Sequence, residues 1–319
     1  MSLLPAAAEI ALGLALLALV VGVSLAVILL GRRPVPALSE AAAAARHHAQ
    51  TVHVIAWVTG FLVGPVLVAA PIGWAVSAAG AGPYGGIGAA VYPAALGLLF
   101  LAVHAIGELT WPRPSGTVRR AALMRRTVRD VAPRRLVAAT VAWAGTLVVT
   151  AVACGVVAED GRQVTRVLPD GSAGAGPFPG WFFGIPLLVA AALVLAATYG
   201  VLRLVAGRAA VVDAAPEWDL GLRRLSGHRA MRGAQLVLGL TAGAVLLVAG
   251  TALQNVGRAG IEDVPPGSPL HTVTGIVLVL VGLGVVLTAA VLTVLPAPVP
   301  LDPAAAGART ADPAGRVTP

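Results

Sequence analysis

The chain contains no lysine, and all 22 of its positively charged residues are arginines. Retinal and pyridoxal Schiff bases form on a lysine amine, so pigments and enzymes of those kinds are excluded. A Walker-type phosphate loop is excluded as well, because its lysine is missing. The single cysteine, Cys154, allows neither an intrachain disulfide nor a CxxC metal or redox pair. Its place in an apolar run predicts a small packing residue.

Charged residues of either sign are scarce. They make up 11% of the 319 residues, against 58% hydrophobic residues, whereas a soluble domain carries about a quarter charged residues. The chain also has repeated apolar runs that are long enough to cross about 30 Å of hydrocarbon, which takes about 20 residues. The composition therefore predicts one all-α bundle whose solvent is the lipid bilayer.

Seven apolar runs indicate seven transmembrane helices within a membrane domain of residues 1–295. A Pro/Ala/Gly-rich tail, 296–319, has no apolar periodicity and is predicted to be disordered. The predicted spans are 6–30, 52–79, 89–109, 137–158, 182–204, 233–253 and 272–295.

The arginines predict the orientation of this bundle. Short loops rich in arginine stay on the cytoplasmic side of a membrane. Alternate loops, beginning with the one after the first span, carry nineteen arginines together with the C-terminal tail, and the remaining loops carry three. This distribution predicts an outside N-terminus and a cytoplasmic C-terminus in a bacterial-type cell membrane. It also accounts for the net charge of +8 without a nucleic-acid partner.

Local composition adds detail to several predicted elements. The second span contains Gly64-Pro65 and Pro71 and should bend, because proline removes a helical hydrogen bond. Residues 159–180 are predicted to form a polar loop. The loop 203–232 contains the segment PEWDLGLRRLSGHRAMR, which predicts a short cytoplasmic helix.

Three residues form a candidate metal site at the cytoplasmic ends of the second and third spans. His53 opens the second span, and His104 and Glu108 lie four residues apart on one face of the third. Imidazole and carboxylate groups are ligands for zinc, iron or copper, so metal or haem is the cofactor that these residues would hold. In the alternative structural reading, an arginine of the following loop neutralises Glu108 and His104 forms a hydrogen bond to a neighbouring helix.

The most arginine-rich stretch is residues 111–136, with eight arginines. Within it, apolar residues recur at helical spacing over Thr117–Val131, which predicts a basic amphipathic helix in the headgroup plane. We expect its arginines to contact anionic lipid headgroups or an acidic cytoplasmic or membrane protein. The predicted contact residues are Arg119, Arg120, Arg125, Arg126 and Arg129.

No catalytic pattern stands out in the sequence. It has no GxSxG nucleophile motif and no paired carboxylates within a span. The first functional hypothesis is a non-enzymatic transport component or accessory membrane subunit with an arginine-rich cytoplasmic face. The alternative is a membrane-embedded metal- or haem-binding enzyme or assembly factor that uses the histidines.

Overall fold

The computed structural model describes residues 18–29, 39–68, 84–112, 126–168, 171–211, 214–259 and 267–296. These residues form eight helices and one two-stranded antiparallel sheet. The helices are α1 Ala18–Leu29, α2 Glu40–Trp57, α3 Tyr84–Leu109, α4 Val128–Val131, α5 Arg134–Val157, α6 Trp181–Gly207, α7 Pro216–Arg258 and α8 Pro269–Val294. The strands are β1 Val164–Leu168 and β2 Gly171–Ala175.

Six of the described helices are long and apolar enough to cross a membrane: α2 with its continuation to Val68, α3, α5, α6, α7 and α8. The prediction of an all-α multi-pass membrane protein is therefore confirmed. The described part of the first predicted span is the 12-residue helix α1, and residues 6–17 and 30 of that span lie outside the described residues. The predicted tail lies outside them too, apart from residue 296.

Helix α2 begins twelve residues before the predicted start of the second span. Ser39 caps it by accepting a hydrogen bond from the Ala42 amide at 3.1 Å, and the five alanines that follow Glu40 have the highest helix propensity of any residue. Hydropathy alone missed this extension because it is only weakly apolar.

The bend predicted in the second span coincides with an irregularity in the helix. Residues Val58–Val63 form a π-helix immediately before Gly64 and Pro65. A proline ring clashes with the carbonyl four residues earlier, and a wider turn provides room for it. Pro71 lies outside the described residues.

Helix α7 is the centre of the bundle. It contacts α2, α3, α4, α5, α6, α8 and both strands. In its most apolar stretch 72% of the residues are buried, against 28–33% in the other five spans. The prediction of a short cytoplasmic helix followed by a separate span starting at 233 was wrong, because one unbroken 43-residue helix covers both. Pro216 in its first turn suits a helix start, and no later proline interrupts it.

Small residues hold α7 close to α8. A Cβ atom on Gly250 would lie 2.6 Å from the Gly275 carbonyl oxygen, and one on Gly275 would lie 2.5 Å from the Gly250 carbonyl oxygen. Gly243 makes the same kind of approach to Gly282. In lipid, such close backbone contact replaces the hydrophobic effect as the source of helix association.

The loop predicted between the fourth and fifth spans folds into a β-hairpin. Val164 pairs with Ala175 and Leu168 with Gly171. Val164 and Phe178 are buried against Ala252 and Val256 of α7, so the hairpin closes one end of the bundle. The run Pro169-Asp170-Gly171 is a turn signal that the prediction of a polar loop overlooked.

The helix predicted over Thr117–Val131 is not continuous. Residues 113–125 lie outside the described residues, and Thr127 has extended backbone with φ −115° and ψ 165°. Thr127 and Asp130 form a capping box that starts the single turn α4. A threonine three residues before an acid is a helix-start signal, which explains why α4 begins at Val128.

Candidate functional site: a buried cationic cluster

The first half of α7 brings an unusual number of polar side chains into the core. These side chains are no more than 8% exposed, although burial of a charged group is costly unless the charge is paired. They belong to Asp219, Arg223, Ser226, His228, Arg229, Arg232 and Gln235.

Two of these residues have a structural role at the end of α6. The Arg223 guanidinium donates to the main-chain oxygens of Val205 (2.9 Å) and Ala206 (3.1 Å), which are among the last carbonyls of that helix. Its Nε lies 2.9 Å from Asp219, which also pairs with Arg126 at 2.9 Å. Cations stabilise a helix C-terminus and satisfy its free carbonyls. Arg223 is therefore neutralised by Asp219 and stabilises the C-terminal end of α6.

Gln235 joins three helices in the same way. Its Nε2 donates to the Ala289 carbonyl (2.9 Å) and the Thr293 hydroxyl (2.5 Å) of α8, and its Oε1 accepts from the Trp143 indole of α5 (3.2 Å). Both ends of the buried amide are thus satisfied, so Gln235 stabilises the bundle.

Glu108, predicted as a metal ligand, forms a buried ion pair. Its carboxylate lies 3.2 Å from Nη1 of Arg208, and the two side chains are 6% and 1% exposed. Arg208 also donates to Ser226 at 3.2 Å and stacks over the Trp111 ring at 3.7 Å. Burial lowers the pKa of Arg208 from its ordinary value, while Glu108 acts in the opposite sense. An arginine thus neutralises Glu108, as in the structural reading, but it comes from the end of α6.

His53 and His104 do come together. Their ring centroids are 6.4 Å apart, and the residues are 1% and 4% exposed. Both nitrogens of His53 and Nε2 of His104 have no hydrogen-bond partner among the described residues. The rings pack against Trp57 and Phe100, at 6.4 Å and 4.7 Å. The two imidazoles therefore lie in apolar surroundings, and three of their four nitrogens form no hydrogen bond with the described residues.

Arg229 and Arg232 lie beside these histidines, three residues apart on α7. Arg229 donates to the Ala49 carbonyl (3.0 Å) and the Gln50 side chain (2.5 Å) of α2, both neutral groups. Arg232 is 4% exposed, and its Nε is unpaired. Within the part of the chain that the structure describes, neither guanidinium has a carboxylate partner.

We call His53, His104, His228, Arg229 and Arg232 the cationic cluster. Its members act electrostatically on one another, and the two nearby carboxylates, Glu108 and Asp219, are bonded to other arginines. Buried cations without a counter-charge are strongly unfavourable. The guanidinium groups only donate hydrogen bonds, and the imidazoles can donate. The arrangement is chemically complementary to an anion.

The same arrangement is less suited to a metal cation. Among the described residues, no three His, Cys, Asp or Glu side chains converge as a metal ligand set. The guanidinium of Arg229 lies near both histidines and would repel a divalent ion. A cavity of about 10 Å³ beside His104, Glu108 and Arg229 is large enough for a single water molecule.

The structure describes two of the five arginines that were predicted to contact lipid or a partner protein. Arg119, Arg120 and Arg125 lie outside the described residues. Arg126 is bonded to Asp219, and Arg129 is exposed.

Sequence reasoning missed Arg229 and Arg232 because it assigned both to a loop. A detectable signal was the uninterrupted helical sequence from Pro216, with Glu217 and Asp219 in its first turn. Comparison of the chain with protein-family models, with curated proteins and with solved structures finds no match.

Proposed function

We propose that this protein is a transport component of the cell membrane that binds a small inorganic anion in the cationic cluster. The observation that carries the proposal is the pair of buried guanidinium groups, Arg229 and Arg232, that have no carboxylate partner among the described residues. The absence of a catalytic pattern in the sequence favours binding or transport over chemistry.

The π-helical segment supports movement at this site. It directly follows Trp57, which packs against His53, and π-helical turns are frequent at functional sites. The cavity of about 10 Å³ beside His104, Glu108 and Arg229 has room for one water molecule. Entry of a larger anion at this point would involve movement of α2 relative to α7.

Thermal unfolding of the purified full-length protein in detergent tests the binding step. Chloride, phosphate and sulfate are compared with gluconate at constant ionic strength, because a ligand that binds only the folded state raises the Tm. We expect at least one of the three anions to raise the Tm of the unaltered protein. Arg232→Gln should abolish the increase, whereas Arg258→Gln, an exposed charge on the same helix, should retain it. No increase with any anion overturns the proposal.

Proteoliposomes test the transport step. Anion efflux is measured with the anion that raises the Tm, for the unaltered protein, Arg232→Gln and Arg258→Gln. We expect efflux only from vesicles with the unaltered protein or the control variant. Binding without efflux would make the protein an accessory anion-binding subunit.

The orientation belongs to the same proposal: seven spans, with the N-terminus outside and the C-terminus in the cytoplasm. Its support is the unequal distribution of arginines between alternate loops. In a Cys154→Ala background, Ser172→Cys should react with an impermeant maleimide in intact cells, whereas Ser115→Cys should react only after permeabilisation. The reverse pattern rules the orientation out.

A metal or haem site remains the second candidate, favoured by the 6.4 Å separation of His53 and His104 and their unpaired nitrogens. Since Arg208 holds Glu108, the two imidazoles would be the principal ligands. Elemental analysis and an absorption spectrum of the purified protein test this candidate. Stoichiometric metal or a Soret band that His53→Phe removes would support it, and their absence would rule it out.

A further inference from the structure

A groove on the surface of the bundle consists of an apolar cavity and an adjacent arginine-lined recess. The cavity, of about 510 Å³, lies between α5 and α6 and is lined by apolar side chains that include Val137, Val141, Leu195, Leu202 and Met231. The recess, of about 370 Å³, is lined by Arg129, Arg134 and Arg224. Arg129, Ala132 and Arg134 line both, so the two spaces are adjacent.

The charges in the recess favour an anion. It contains three guanidinium groups and one carboxylate, that of Asp130. Hydrogen bonds from the Thr127 amide and hydroxyl, at 2.7 and 2.9 Å, lower the pKa of Asp130, so this carboxylate is ionised at neutral pH. Arg224 uses its Nε for the Asp130 carbonyl at 3.0 Å. The recess keeps a net positive charge that its own side chains do not neutralise.

The apolar cavity indicates that a ligand whose anionic group lies in the recess also has an apolar part. Val137 and Val141 lie one and two turns into α5, are 36% and 64% exposed, and face the space below the arginines. In a membrane-spanning helix, this surface lies at the depth of acyl chains when the arginines lie among headgroups. A free phosphate fills only the recess, and an uncharged lipid uses only the cavity. An anionic phospholipid uses both.

We infer that this groove is a binding site for an anionic phospholipid, whose phosphate lies between Arg129 and Arg134 and whose acyl chain lies along Val137 and Val141. The inference is independent of the anion proposed for the cationic cluster. The groove is lined by different arginines, and it faces lipid where the cluster is enclosed in the core.

Native mass spectrometry of the full-length protein, released from mixed micelles of phosphatidylglycerol and phosphatidylcholine, tests the headgroup contact. We expect Arg129→Gln/Arg134→Gln to reduce the preference for phosphatidylglycerol at least fivefold. The matched double variant Arg135→Gln/Arg203→Gln removes two exposed arginines outside the groove and should keep the preference. Equal loss in both variants would show a diffuse charge effect and overturn the site.

A second pair of variants tests the acyl-chain cavity with all arginines intact. Val141→Trp fills the cavity and should reduce retention of phosphatidylglycerol several-fold. Val149→Trp is the control, because Val149 is 68% exposed on the same helix and lines neither space. Unchanged retention in Val141→Trp, or equal competition by glycerol phosphate that carries no acyl chain, would contradict the inference.

Discussion

His53 of α2 and His104 of α3 lie with their ring centroids 6.4 Å apart, and three of their four ring nitrogens have no partner among the described residues. Fold stability alone does not explain this arrangement, because an unsatisfied buried polar group costs about 1–3 kcal/mol. The two imidazoles therefore keep hydrogen-bonding capacity that the described residues do not use.

Replacement of His53 by phenylalanine should therefore stabilise the protein without ligand. The new ring packs beside Trp57 and replaces two unpaired nitrogens, so we expect the Tm in gluconate to rise by a few degrees, consistent with about 1 kcal/mol or more. Thermal unfolding measures it. His47→Phe, at an exposed position on the same helix, should leave the Tm unchanged. A lower Tm for His53→Phe would show that the imidazole is satisfied in the native protein.

Separation of the buried pair Arg208–Glu108 should be strongly destabilising. Glu108→Gln leaves the Arg208 guanidinium buried without a counter-charge, and breaking such a pair costs about 3–5 kcal/mol. Denaturant unfolding in detergent measures the loss.

The double variant Glu108→Gln/Arg208→Met provides the control for that loss. It removes the uncompensated charge and should recover part of the stability of Glu108→Gln, because the penalty comes from the unpaired ion. Additive losses in the double variant would mean that the two side chains do not interact.

The crossing of α7 and α8 depends on the absence of a side chain at Gly275. A Cβ there would lie 2.5 Å from the Gly250 carbonyl oxygen and 2.9 Å from the Gln254 amide nitrogen. Because both are backbone atoms, Gly275→Ala must separate the helices, and we expect a loss of about 1–3 kcal/mol in unfolding free energy.

Gly284 is the matched position on the same helix. A Cβ there meets nothing within 4 Å, so Gly284→Ala should be neutral or stabilising by up to about 1 kcal/mol through helix propensity. Chemical unfolding of both variants gives the comparison. Similar stabilities for the two would argue against backbone contact at Gly275.

The capping box of α4 should depend on pH. Thr127 lowers the pKa of Asp130, so the ionised carboxylate stabilises the turn above the pKa of the unfolded chain. This stabilisation is lost as pH falls through the lower folded pKa. Hydrogen exchange of the Asp130 and Ala132 amides, corrected for intrinsic rates, should quicken in acid, and Asp130→Asn should show fast exchange already at neutral pH. Identical protection in that variant would exclude a role for the carboxylate.

Hydropathy predicts the helices α3, α5, α6 and α8 well because each is an apolar run with polar ends. It fails for α7, since Arg223, Arg229 and Arg232 resemble a loop in sequence. The buried guanidinium groups of Arg223 and Arg229 find carbonyl partners on α6 and α2. Only the folded bundle brings those partners together.

Only the part of the candidate site that lies on neighbouring helices of the sequence could be predicted. The proximity of His53 and His104 follows from two antiparallel neighbouring helices. The partner of Glu108 does not, because Arg208 is a hundred residues away and beyond the end of another span. The arginine pair on α7 could not be assigned to the site until the helix was known to continue inward.

At 43 residues, α7 is about 65 Å long, roughly twice the thickness of the hydrocarbon layer. Kinks in helices arise mainly at prolines or helical irregularities, and after its first turn α7 has neither. If such a stiff helix tilted about its tight crossing with α8, Trp218 near its N-terminal end would be displaced further than the residues of the cationic cluster, which lie closer to that crossing.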